Sequence, residues 1–147
     1  MERLHKFRCL PSRYKHLLVK SIVLLGLVRV GLWLLPFQAL RHLLAHMTRA
    51  HAASPGGDQA SMQQVVWAVT VASQYVPAAT CLTQALATQV LLSRRGHPAS
   101  LRIGVARSEA GKFQAHAWVE CQGKIVIGGA QALSRFTTFP PLDGERP

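Results

Sequence analysis

The sequence predicts a single α+β domain in which a run of helices precedes a small antiparallel sheet. Up to about residue 95 the apolar residues recur at helical spacing, whereas from residue 99 they alternate with polar residues as in strands. Helices and strands in separate parts of a chain are typical of α+β domains. With 147 residues, 49% of them hydrophobic, the chain can bury one core and is short for two.

Residues 1–52 are predicted to form an N-terminal helical hairpin. Residues 17–35 are almost entirely apolar, and Pro36 ends the helix that they predict. Residues 37–51 predict a second helix with one apolar face. That face comprises Phe37, Leu40, Leu43, Leu44 and Met47. We expect the hairpin to pack on the core of the domain.

The N-terminal third also carries most of the positive charge. The formal net charge is +11, and residues 1–50 contribute nine Lys and Arg against one acid. Lys20 and Arg29 interrupt the apolar run on opposite helix faces, and a central Arg costs roughly 2.5–3.5 kcal/mol on insertion scales. A membrane span is therefore disfavoured. Peripheral contact of the hairpin with a membrane, or with another protein, is an alternative that the sequence leaves open.

Residues 53–61, with Pro-Gly-Gly and small polar residues, are the one clear linker. Residues 62–147 then form the predicted core of the domain. Its first helix starts at Met62 and stops before Pro77.

Cys81 is predicted to lie in the first turn of the next helix. Thr80 is a good N-cap residue, and Gly96 suits the left-handed position that follows a helix of about fifteen residues. Residues 99–107 and 113–121 alternate as two strands, and Gln122-Gly123 is a plausible turn into a third.

Element lengths place Cys81 and His116 at the same end of the domain. A fifteen-residue helix is about 22 Å long, and residues 99–107 return along it as a strand of about 30 Å. The hairpin that follows brings His116 back toward the start of the helix. We therefore expect the two side chains to meet.

A cysteine at a helix N-terminus beside a histidine is an arrangement that suits nucleophilic catalysis. The helix dipole and an imidazole both favour the thiolate, which is the attacking species, and free N–H groups in the first turn can hold an oxyanion. The alternative is a small buried cysteine and a structural histidine. Spacing alone leaves both interpretations open.

Two segments carry a family resemblance. The sequence "YVPAATCLTQALATQVLLSRRGHPASLRIGV", followed by "FQAHAWVECQGKIVIGG", resembles the transglutaminase-like cysteine peptidases that remove the leader in lasso peptide biosynthesis. The N-terminal helices are similar to that family as well. The resemblance implies a papain/transglutaminase-like core whose cysteine-bearing helix packs on a small antiparallel sheet. It implies Cys81 as nucleophile, His116 as base, and amide hydrolysis through an acyl-enzyme.

The third catalytic residue departs from the family pattern. An Asp is common about a dozen residues after the His, where this sequence has glycines at 128 and 129. Gln131, Asp143 folding back from the Pro-rich tail, and a backbone carbonyl or water are the alternatives for orienting His116. Glu120 lies about 13 Å along the strand from His116, which is too far.

Other residues receive lesser roles. Gln74 is a candidate oxyanion donor, and Trp118 is a candidate wall of the cleft, although an aromatic in a strand is more often a core residue. Cys121 should be a packing residue, because it alternates onto the face opposite His116. With Cys9, the chain has three cysteines that cannot all pair, and no signal peptide is evident, which favours free thiols and a cytoplasmic protein.

The sequence thus predicts a cysteine peptidase that releases a ribosomally made core peptide from its leader. The resemblance implies the precursor leader peptide, a separate peptide-recognition protein and an ATP-dependent cyclase as partners. We expect no cofactor, metal or nucleic-acid partner, because metal-ligand and nucleotide-binding motifs are absent from the sequence. A transglutaminase-type acyl transferase and a non-catalytic adaptor that docks on a membrane or partner are the alternatives.

Overall fold

The computed structural model describes residues 8–50, 58–128 and 136–138. In these ranges four helices precede four strands, which confirms the α+β prediction. The helices are α1 (Ser12–Leu34), α2 (Phe37–Ala50), α3 (Gln59–Ser73) and α4 (Cys81–Arg94). The strands are β1 (Ala99–Arg107), β2 (Phe113–Cys121), β3 (Lys124–Ile127) and β4 (Thr137–Thr138).

Helix α1 begins earlier than its apolar run, directly after Pro11. The Pro11 carbonyl accepts from the N–H of Tyr14 at 3.0 Å, and Leu35 ends the helix in an extended conformation before Pro36. The buried face of α1 packs on α3 and α4. Its buried residues are Leu17, Leu18, Ser21, Leu24, Leu25, Val28 and Gly31. Helix α1 is thus buried along one face and exposed along the opposite face, although both faces are mostly apolar.

Helix α2 lies against α4 and α1. Leu40 and Leu44 are buried as predicted, whereas Leu43 is exposed. Leu40 reaches α1 at Gly31, where a Cβ would lie 2.6 Å from Leu40 Cδ1. The absence of a side chain at Gly31 therefore lets the two helices approach closely.

Helix α3 begins inside the linker predicted for residues 53–61. Asp58 caps it, since a carboxylate oxygen accepts from the N–H of Ser61 at 3.1 Å. The predicted linker therefore extends no further than Asp58, and residues 51–57 lie outside the described residues. Sequence reasoning placed the start at Met62 because it followed the apolar pattern and overlooked this cap.

The sheet has the order β3-β2-β1-β4, with all neighbours antiparallel. Gln122 and Gly123 both have positive φ, 53° and 76°, as a type I′ turn between β2 and β3 requires. One sheet face joins the helical core. That core face includes Leu101, Ala117, Val119, Cys121 and Ile127. Strand β4, which pairs with β1 at Gly104 and Val105, was not predicted.

The two glycines of α1 allow a matched test of the α1–α2 contact. A Cβ at Gly26 meets nothing within 4 Å, so Gly26→Ala should raise the unfolding midpoint by about 1–3 °C through helix propensity. Gly31→Ala should lose that gain, because Leu40 must move aside. Thermal unfolding followed by circular dichroism measures both. Introducing Gly31→Ala into a Leu40→Ala background should recover the gain. If Gly26→Ala and Gly31→Ala raise the unfolding midpoint equally in the otherwise wild-type protein, the contact between Gly31 and Leu40 is contradicted.

Candidate active site

Cys81 is the first residue of α4, as predicted. Thr80 caps the helix: its Oγ1 accepts from the N–H of Thr83 at 3.3 Å. Gln84 also ties the helix to the preceding segment, since its Nε2 donates to the Ala79 carbonyl at 3.2 Å. Cys81 is half-buried and packs against the hydrophobic core. Its thiol therefore lies at a well-anchored helix N-terminus, where the N–H groups of the first turn have no intrahelical acceptor.

His116 lies in the middle of the sheet, on β2 opposite Gly104 of β1. Its Nε2 is 2.7 Å from the carbonyl oxygen of Gly128. Because a carbonyl oxygen can only accept, Nε2 carries the proton in this hydrogen bond. The neutral ring then has its lone pair on Nδ1, so Nδ1 is the atom that can take a proton from a nucleophile.

Gly128 follows His116 by twelve residues, at the place where the family resemblance leads us to expect an Asp. Its φ of 76° lies in the left-handed region. A Cβ at this position would lie 2.7 Å from the Ala117 carbonyl and 2.9 Å from Trp118 Cβ. No side chain fits there, and the main chain itself meets the ring. Of the alternatives for orienting His116, a backbone carbonyl is the one observed, whereas Gln131 and Asp143 lie outside the described residues.

Two aromatic side chains lie beside the His116 ring. Trp118 stacks with it at a centroid distance of 6.2 Å and an angle of 25°, and Phe136 lies 5.6 Å away at 38°. Trp118 is 2% exposed, so it is a buried neighbour of the imidazole rather than an exposed wall of a cleft.

Two consecutive hydrogen bonds link the indole of Trp118 to Glu120 and Glu120 to Arg102. Its Nε1 donates to Glu120 Oε1 at 3.1 Å, and Arg102 Nε donates to Glu120 Oε2 at 3.3 Å. Both Glu120 and Arg102 are about two-thirds shielded, and they form an ion pair. The spacing His-x-Trp-x-Glu indicated that these three side chains share a face, but the sequence contained no signal for Arg102, Phe136 or the Gly128 carbonyl.

The relation of Cys81 to His116 follows from the packing of α4 on β1 and β2. From the ideal rise per residue, Cys81 is about 20 Å along the helix from the α4–β1 connection, and His116, opposite Gly104, is about 17 Å along the sheet from it. We therefore expect the two residues to lie at a similar level. Ala117 on the helix side of β2 is buried and Ala115 is exposed, so the helical layer ends beside His116.

In strand alternation, however, His116 falls on the face that carries Trp118, away from the Ala117 and Val119 face that meets the helices. Among the described residues, the Cys81 thiol and the His116 ring make no hydrogen bond with each other. Hydrogen bonds in catalytic sites are often long before substrate binds. Their direct contact stays a prediction.

The structure also describes three other residues that the sequence analysis considered. Gln74 is the exposed C-cap of α3, and its backbone N–H bonds to Ala72 and Val71. Cys121 is 1% exposed in the core, which confirms the prediction of a packing residue, and burial raises the pKa of its thiol. Cys9 is exposed, and all three cysteines are free.

Most of the chain matches a known protein family. The sequence model described as the transglutaminase-like superfamily matches residues 24–140, which include Cys81, His116 and Gly128. The chain belongs to the transglutaminase-like superfamily, whose members include cysteine peptidases and acyltransferases. Comparisons with curated proteins and with solved structures found no match.

A thiol-directed electrophile should distinguish the three cysteines. Iodoacetamide at pH 7.5 should modify Cys81 faster than Cys9 if Cys81 is the nucleophile that the family resemblance implies. Cys121 should react only on unfolding, because it is buried and the pKa of its thiol is raised. Peptide mass spectrometry of timed samples measures each rate. Cys9 serves as the exposed reference, and a Cys81 rate no higher than that of Cys9 would contradict an activated thiol.

Gly128 and Gly123 provide a matched test of the His116 hydrogen bond, since both have a φ of 76°. Alanine at Gly123 meets nothing within 4 Å, so it should cost only backbone strain of about 1 kcal/mol. Gly128→Ala should lower stability further and release the imidazole, because its Cβ collides with the Ala117 carbonyl.

Nitrogen NMR of the histidine rings measures the second effect. His116 should be a single Nε2–H tautomer in the wild type and in Gly123→Ala, and a mixture in Gly128→Ala. A mixture in the wild type would show that the carbonyl does not hold the ring.

Proposed function

We propose that this protein is a cysteine peptidase that removes the leader from a ribosomally made lasso precursor peptide. Membership of the transglutaminase-like superfamily supports the reaction class. The observation that carries the assignment of the base is the 2.7 Å hydrogen bond between His116 Nε2 and the Gly128 carbonyl, because it leaves Nδ1 free to act. The lasso precursor as substrate rests on the sequence resemblance.

The reaction uses Cys81 and His116 in two stages. The Cys81 thiol gives its proton to His116 Nδ1, and the thiolate attacks the scissile carbonyl carbon. N–H groups in the first turn of α4 hold the oxyanion. The amide C–N bond then breaks, and the imidazolium protonates the leaving amine, which is the new N-terminus of the core peptide. Water, deprotonated by His116, hydrolyses the thioester and frees the leader as a carboxylic acid.

The carbonyl partner of His116 limits how readily the reaction forms its ion pair of Cys81 thiolate and His116 imidazolium. A carboxylate stabilises the imidazolium with a full charge, whereas the Gly128 carbonyl supplies only a dipole. The Glu120 carboxylate is already engaged by Trp118 and Arg102. We therefore expect turnover to be slower than in a site supported by an Asp.

Acyl transfer is the second candidate, because superfamily members resolve the same thioester with an amine instead of water. A product carrying an added amine, with no free leader acid, would favour it. A non-catalytic adaptor is the alternative from another class, and it predicts no leader release at all. The leader peptide, a separate recognition protein and the cyclase are the partners that the family resemblance implies for this function.

Alanine substitution tests the nucleophile and base. Cys81→Ala and His116→Ala should each reduce leader release by at least about 10³-fold, because the two groups act as a unit. Cys121→Ala should retain most activity, since Cys121 is buried away from the His116 face. Mass spectrometry of a co-encoded precursor, incubated with the enzyme and its recognition protein, measures cleavage. Survival of activity in Cys81→Ala with loss in Cys121→Ala would overturn the assignment.

Two further substitutions test which group orients His116 as the third member of the catalytic set. If the Gly128 carbonyl orients His116, Asp143→Asn should be nearly silent, and Gln131→Ala should cost less than the roughly 10²-fold expected for a positioned acid–base partner. Cleavage rates measured between pH 6 and 9 compare the two variants with wild type. A large loss confined to Asp143→Asn would show that the tail closes over the site and completes a triad.

A further inference from the structure

The face of α1 that points away from the core is also apolar. Six large side chains on this face are between 53% and 81% exposed. They are Val19, Val23, Leu27, Val30, Trp33 and Leu34. Their spacing of three and four residues aligns them in one stripe along the helix, opposite the buried face. This set, called here the α1 stripe, runs about 22 Å from Val19 to Leu34.

Basic residues border the α1 stripe. At 100° per residue, Lys20 and Arg29 lie on its two opposite edges. The described segment 8–50 contains seven Lys and Arg and no Asp or Glu. Among the residues that the structure describes, Arg29 has no acidic partner. An apolar stripe with unpaired cations along both edges is complementary to a surface that is apolar inside and anionic outside.

A groove at the C-terminal end of the stripe combines the same two properties. It has a volume of about 290 Å³ and is lined by Arg29, Val30, Trp33 and Leu34. A guanidinium beside apolar side chains can hold a phosphate while the neighbouring side chains contact an acyl chain. Trp33 is 81% exposed, more than any other large apolar residue in the described part of the chain, and it suits the level of lipid headgroups.

We infer that the α1 stripe binds the surface of an anionic phospholipid bilayer, with α1 lying in the plane of the interface. The groove at Arg29 takes a lipid phosphate, and the valine, leucine and tryptophan side chains enter the acyl boundary. The inference is independent of the peptidase proposal, since none of its residues belongs to the site around Cys81 and His116.

In-plane binding agrees with the packing better than a span does. Helix α1 is 23 residues long with a mean hydropathy of 2.1 over an 18-residue window, so it meets the length and composition of a spanning helix. Its other face, however, packs on α3 and α4 and buries Ser21. A span would have to give up that packing, whereas in-plane binding uses only the face that is already exposed.

The test uses the full-length protein and extruded vesicles of phosphatidylcholine, alone or mixed equally with phosphatidylglycerol. The protein should sediment with the mixed vesicles and not with phosphatidylcholine alone, and Trp33 fluorescence should shift to the blue. Trp118 is buried and Trp67 half-buried, so the shift reports on Trp33. Raising the salt concentration to 1 M should weaken binding.

Matched variants make the test specific. Leu34→Glu should weaken vesicle binding at least about tenfold, whereas Phe113→Glu should not, although both residues are 74% exposed. Arg29→Gln should weaken it about fivefold, and Arg107→Gln, in the sheet, should have little effect. Circular dichroism checks that each variant keeps its helices.

Several outcomes would overturn the inference. Equal weakening by the stripe and control variants would place the contact elsewhere. Retention on vesicles after an alkaline carbonate wash would indicate a span. Concentration-dependent dimerisation abolished by Leu34→Glu, without vesicle binding by the wild type, would assign the stripe to a second copy of this chain.

Discussion

The candidate site is organised by one hydrogen bond, from His116 Nε2 to the Gly128 carbonyl. It joins the middle of β2 to the residue that directly follows β3, so the sheet itself sets the position of the ring. The bond requires a left-handed backbone and no side chain at Gly128, because a Cβ there would collide with Ala117 and Trp118. Its direction also decides which ring nitrogen can act as a base.

The surroundings of His116 support its orientation but include no carboxylate partner among the described residues. Trp118 stacks with the ring, and Glu120, paired with Arg102, accepts a hydrogen bond from the indole. The charge of Glu120 is thus used to position an aromatic ring and not to stabilise an imidazolium. Orientation and charge stabilisation, which a single Asp would supply together, are separated here: the backbone supplies the first, and the described residues supply little of the second.

Helix α1 is apolar on two opposite faces, one of which packs on the core while the other is exposed. Its core face is closed by α3 and α4, and Gly31 lets Leu40 of α2 approach it. Its outer face remains apolar and is bordered by cations. Helix α4, whose N-terminus carries Cys81, packs on α1 as well as on the sheet. The exposed stripe and the candidate site are therefore on one packed body, with α4 between them.

Local signals in the sequence determined most of the elements. Thr80 and Gly96 bounded the cysteine helix, the period-two pattern located β1 and β2, and Gln122-Gly123 marked the turn, because caps, alternation and turn residues act within a few positions. The predicted start of α3 was wrong because the prediction followed the apolar pattern, whereas the Asp58 cap starts the helix before that pattern begins.

Only the tertiary structure decided the partner of His116, the burial of Trp118 and the pairing of β4. A backbone carbonyl as a ring partner has no residue-type signature, and Phe136 and Thr137 reach the sheet from a distant part of the chain. The sequence showed that α1 is apolar, but which of its faces is covered depends on the helices packed against it. Contacts between residues far apart in the chain are determined by packing, which no local pattern encodes.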